Sequence, residues 1–136
     1  MAVLETVLGM FPPAGVVVFV PAYGLWRHKG IVSDRWHNWK PMILCNSPIH
    51  GIIEQPWDEF FGEEPLRHES YPGSLPAHEV LRRARSRLGE SYFLFTFNCD
   101  HYKNYAHGLP IESEQLRATF AVLGSLSAVA AAFARG

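Results

Sequence analysis

FTFNCDHYKNYAHG, Phe95–Gly108, sets a cysteine directly after an asparagine at the head of a helix-like run. Asparagine is a strong helix N-cap, so Asn98 is expected to cap and Cys99 to be the first helical residue. Gly108 and Pro110 then end the helix, as glycine and proline commonly do. Two readings of Cys99 stand together. Free cysteine is among the most buried residue types and packs as a small apolar group. Alternatively, it is a thiol set up to react. The thiolate is the nucleophile, and free cysteine titrates near ~8.5. A helix N-terminus favours an anion by about 0.3–1 kcal/mol, whereas lowering the pKa to about 7 needs roughly 2 kcal/mol. The dipole falls short, and a nearby imidazole has to supply the rest. The Cys99 amide would also face negative charge developing on an attacked carbonyl.

The chain has seven histidines to choose from. His101 lies two helical positions from Cys99, so the two side chains point apart, and it is expected to face solvent or a strand. His107 is eight positions on, about 12 Å along the axis. His28 differs, because it sits in a strand candidate, LWRHKGIVS, Leu25–Ser33, where it shares a face with Gly30 and Val32. A strand holds a base more rigidly than a loop does, although a strand histidine taken alone is more often structural. His37, His50, His68 and His78 fall in loops or at a helix start.

Working outward, GVVVFV (Gly15–Val20) reads as a buried strand. DRWHNWK connects the His28 strand to a third, PMILCNS (Pro41–Ser47), and Gly51–Gln55 is a fourth. PWDEFFGEEP reads as a single helical turn and loop. LPAHEVLRRARSRLG is an amphipathic helix with Val80, Leu81, Ala84 and Leu88 in its stripe, Pro76 in its first turn and Gly89 as its stop. The aromatic content of SYFLFTF (Ser91–Phe97) favours a strand. Arg82, Arg83, Arg85 and Arg87 fan around the helix axis and are expected to be a solvated face.

RHKGIVSD at 27–34, followed by LFTFNCDHYKNYAHG at 94–108, resembles the lecithin:retinol acyltransferase-like family of NlpC-like, circularly permuted papain-like thiol enzymes. That family carries a strand with H-x-G/A-I and a later N-C-E-H-F at a helix start; here the latter stands as Asn98, Cys99, Asp100, His101, Tyr102. The resemblance spans roughly Pro13–Leu109. It implies an α+β fold with a small antiparallel sheet packed on helices, and a cysteine-dependent hydrolase or acyltransferase working on an ester or amide through an acyl-thioester. It makes Cys99 the nucleophile and His28 the base. A third group on the next strand should hold the imidazole; the family often has histidine there, but MILCNSP has none. Cys45, Asn46 or Ser47 fills the place, and Asn46 is the choice because its amide oxygen can accept from imidazole. The register is open by one residue. Tyr23 is a candidate substrate-side donor near the oxyanion, against the ordinary reading of a loop aromatic covering the core. Asp100 in the first turn is accounted for by the dipole. Cys45 reads as a core cysteine, with a reversible bridge to Cys99 as the lesser reading. The missing histidine also keeps open a catalytically inactive papain-like domain that binds or tethers.

The 136 residues suit one domain with a core. With 48% hydrophobic residues, 18% charged and a net charge of −1, nothing calls for nucleic acid as partner. Two cysteines are too few for a disulfide scaffold. The N-terminal MAVLETVLGMFPPAG has no Lys or Arg before its apolar stretch and carries Glu5, unlike a signal peptide, so a cytoplasmic location is expected. Ala118–Ala134 holds no charged residue; as a helix it spans roughly 25 Å, short of a bilayer core of about 30 Å. The division expected is a catalytic domain at 1–112 and an apolar helix at 113–136. That helix reads as a membrane anchor, an oligomer seam or a buried helix, and tilts the substrate toward lipid acyl chains. A metal site of Cys99, His101 and His28 lacks paired spacing and a fourth ligand, so neither metal nor cofactor is expected.

Overall fold

In the computed structural model, residues 9–22 and 26–135 are described, with side chains to residue 125. Among the described residues nine elements follow in order: β1 Val17–Pro21, β2 Arg27–His37, β3 Lys40–Ser47, β4 Gly51–Gln55, α1 Trp57–Phe61, β5 His68–Ser70, α2 Ala77–Arg85, α3 Cys99–Ala106 and α4 Glu114–Arg135. The strands form one antiparallel sheet in the order β4-β3-β2-β1-β5, so the protein is α+β. Each sheet face carries its own core. On one, Ile31, Leu44 and Ile52 meet Val80, Leu81 and Ala84 of α2 and Tyr102 and Ala106 of α3. On the other, Val18, Val32, Ile43 and Cys45 pack under Phe60 and Phe61 of α1. The period-2 alternation along β2 and β3 feeds both layers, which is why these strands are near-continuously apolar.

Gly30 is required by close packing. A Cβ there would lie 2.9 Å from the Phe60 ring and collide with Ile43 as well. Without it, Phe60 could not sit against β2 beside His28. The pairing of β2 with β3 ends at Gly30–Cys45, whereas β2 continues with β1 to Arg27 and β3 continues with β4 to Ser47. The sheet is therefore open between β2 and β3 at this end.

Several expectations change. DRWH is strand, not connection: β2 runs to His37, and the hairpin turns at Asn38 and Trp39, both with positive φ. Ser91–Phe97 is not a strand. Phe93 and Phe97 bond to each other in an isolated bridge outside the sheet, and Phe93, Leu94 and Phe95 are exposed. Leu88 lies past the end of α2 and is exposed. The arginine cluster is mostly tied down: Arg82 pairs with Glu79, Arg87 with Glu90, and Arg85 bridges Asp34 and the buried Glu54.

The expected boundary at 112/113 falls inside a packed unit. Ser113 and Leu116 are buried, and the first turns of α4 lie against α3 and β2. Beyond Thr119 the described side chains Phe120, Val122 and Leu123 are exposed, and the rest of the apolar run lies outside the residues whose side chains are described. Among the described residues no helix is long and apolar enough to cross a membrane.

Candidate active site

The NC-acid-H spacing is a cap. The Asn98 side chain accepts from the Asp100 and His101 amides at 2.9 and 3.3 Å, and the Asn98 amide donates to Nδ1 of His101 at 3.0 Å. This is a capping box with histidine in the returning position. His101 therefore faces the cap, not solvent, and Nδ1 is its acceptor nitrogen. The Asn98 amide group also donates to the Leu94 carbonyl and Ser113 Oγ, tying the preceding loop and the start of α4 to the same point. The cap uses two first-turn amides and leaves that of Cys99.

Asp100 does more than complement the dipole. It is fully buried and forms an ion pair with Lys29 of β2 at 2.7 Å, while accepting from Ser113 Oγ and the Gln115 amide. Lys29, itself buried, also reaches Glu69 at 3.4 Å. The ion pair bolts α3 onto β2 one residue along from both Cys99 and His28. Lys29 holds Asp100 below the usual carboxylate range against burial, and Asp100 with Glu69 raises Lys29.

Cys99 is 4% exposed. Its Sγ donates to the Arg27 carbonyl at 3.5 Å, so the sulfur meets the backbone of the residue immediately before His28. Burial pushes the thiol up to about 11, with the Lys29 amide and charge opposing it. His28 stacks on Phe60, with ring centroids 5.1 Å apart. Loss of water around the ring lowers its pKa to about 4. Both side chains line one cavity of about 700 Å³ at the open end of the sheet. Its other walls include Val20, Trp26, Ile49 and Leu94, so it is mainly apolar.

The structure thus brings Cys99 and His28 to one cavity, with the sulfur hydrogen-bonded to Arg27 and Gln115 and the imidazole resting on Phe60. Both are neutral near pH 7. Moving the proton between groups near 11 and 4 costs roughly 10 kcal/mol. Burial thus favours the neutral thiol and the neutral imidazole over an ion pair.

Asn46 does not hold the imidazole. Because Gly30 pairs with Cys45, side-chain alternation puts Cys45 and Ser47 on the face of His28 and Asn46 on the opposite face. The Asn46 amide instead donates to the Phe97 carbonyl at 2.8 Å, bracing the loop that leads to the cap. Ser47 is the β3 residue that lines the cavity with His28. Tyr23 lies outside the described residues. Cys45 and Cys99 are both free thiols. Gln115, which no motif marks, bonds to both Arg27 backbone groups and approaches the sulfur. Comparison with family models, curated proteins and solved structures returns no match for this chain.

Proposed function

We propose that the chain is a cysteine hydrolase or acyltransferase of the lecithin:retinol acyltransferase-like, permuted papain-like kind, acting on an ester or amide with an apolar acyl chain. The carrying observation is the opening of Cys99, at a capped helix N-terminus, and His28 onto one apolar cavity. In this reading the neutral His28 takes the thiol proton while Sγ attacks the carbonyl carbon. The oxyanion forms near the unused Cys99 amide. Collapse breaks the bond to the alcohol or amine, which leaves with the proton from His28, and a thioester remains on Cys99. Water or an acceptor alcohol or amine, deprotonated by His28, then releases the acyl group. The apolar walls and the exposed Phe95, Phe120 and Leu123 nearby in α4 and its neighbouring loop favour a lipid substrate at or near a membrane.

A second reading has its own support. A protonated thiol bonded to a backbone carbonyl, and an imidazole stacked on Phe60, suit a binding or tethering domain that retains the site without using it. Intact mass after incubation with a long-chain activated ester separates the two. The enzyme reading expects one acyl group on the wild type, none on Cys99→Ala and strongly slowed labelling of His28→Ala. Labelling that is equal in all three proteins, or absent from the wild type, favours the binding domain.

A further inference from the structure

We propose that Gln115 is the hydrogen-bond donor facing the Cys99 sulfur as it ionises, and the residue that positions that sulfur against β2. The proposal rests on the reading of Cys99 as a reacting thiol. Where β3 has parted from β2, no strand among the described residues pairs with the outward backbone groups of Arg27. The Gln115 carboxamide takes that place. Its Oε1 accepts from the Arg27 amide at 2.5 Å and its Nε2 donates to the Arg27 carbonyl at 3.0 Å. This bracket fixes which end of the carboxamide is which, because an N–H needs an acceptor and a carbonyl needs a donor. Nε2 is thereby set 3.9 Å from Sγ, with a second hydrogen to give.

The same carbonyl of Arg27 accepts from the thiol. Once the proton leaves, that carbonyl offers the sulfur nothing. The Gln115 Nε2–H then stands beside the anion together with the backbone amides of Lys29 and Asp100. Gln115 is itself held at both ends of its residue. Its amide donates to Asp100, and its carbonyl accepts from Thr119, whose hydroxyl oxygen accepts from Trp26. The ionisable groups around the sulfur are Lys29 and His28 of β2, Cys45 of β3, Tyr92 of the loop before the cap and Asp100 of α3, with Arg27 of β2 on the cavity wall. None of these is altered by replacing Gln115.

The test is the alkylation rate of Cys99 by iodoacetamide from pH 7 to 11, resolved from Cys45 by peptide mass spectrometry, with melting temperature read alongside. Gln115→Glu keeps the shape but removes the donor and adds charge; its rate at pH 8 should fall about 10-fold, one unit of midpoint. Gln115→Met keeps the length and stays dry, and should fall about 3-fold, half a unit. A residue that merely packs would lower the melting temperature and leave the rate unchanged, or raise it as water reaches the sulfur. Either result overturns the proposal, and the Met variant decides if the Glu variant does not fold. Should wild-type Cys99 react only as fast as the whole protein unfolds, the thiol reading fails first and this proposal falls with it.

Discussion

Replacing Lys29 with methionine isolates the ion pair that seats the cap. The side chain keeps its approximate length and loses its charge. Asp100, fully buried, is then left with Ser113 Oγ and the Gln115 amide alone. Removing one partner of a buried pair costs about 3–5 kcal/mol, because the other charge stays buried and uncompensated. Against a domain stability of about 5–15 kcal/mol, that is a large fraction. At roughly 3–5 °C per kcal/mol for a chain of this size, the melting temperature should fall by about 10–20 °C. Urea unfolding followed by tryptophan fluorescence gives the free energy directly. Lys29→Met with Asp100→Leu should recover most of the loss, since neither charge remains. The pH dependence supplies a second check. Asp100 is held below its unfolded pKa, so its contribution is present above about pH 4 and is lost as pH falls through the folded value. Lys29 is raised, so its contribution persists below about pH 10 and is lost only as pH rises through its folded value. The wild type should therefore weaken on acidification, while Lys29→Met, whose Asp100 is easier to bury protonated, should weaken less or gain. A cost below about 1 kcal/mol, or a double variant no better than the single, would refute the reasoning.

Asn98→Ala removes the cap and leaves the Leu94 carbonyl and two helix amides without their partner, so it should cost about 2–4 kcal/mol, measured by urea unfolding. Asn98→Ser keeps the cap oxygen and should cost about half of that. Gly30→Ala drives a methyl into Ile43 and Phe60 and should cost about 1–3 kcal/mol by calorimetry; Phe60→Leu in the same chain should return part of it.

What could be read from residues alone was local. The cap at Asn98, the helix it starts and the strands around His28, Met42 and Ile52 follow from short-range spacing, and the structure has them. Register does not follow from spacing. Cys45, Asn46 and Ser47 are equivalent by composition, and only the Gly30–Cys45 pairing shows that Asn46 faces away from His28. The aromatic run before the cap reads as strand by content, yet strand content needs a partner strand, and Phe93 and Phe97 pair only within the run as an isolated bridge. β5 carries no strand signal for the opposite reason: HES is polar, and only its neighbour β1 makes it a strand. Asp100 reads from the sequence as a charge in a first turn; that Lys29 answers it is tertiary. Gln115 lies 88 residues from the backbone that it brackets, and a lone glutamine at a helix start carries no signal of such a role.

The account centres on a neutral imidazole accepting the proton of a neutral thiol during attack. The pH profile for acylation of Cys99 by an activated ester, read by intact mass, tests this most directly. With His28 as base, the rate rises through an ionisation near 4 and is level across neutral pH, and His28→Gln loses that acid limb and gains rate only toward about 11. A wild-type profile that coincides with that of His28→Gln, rising only at alkaline pH, contradicts it.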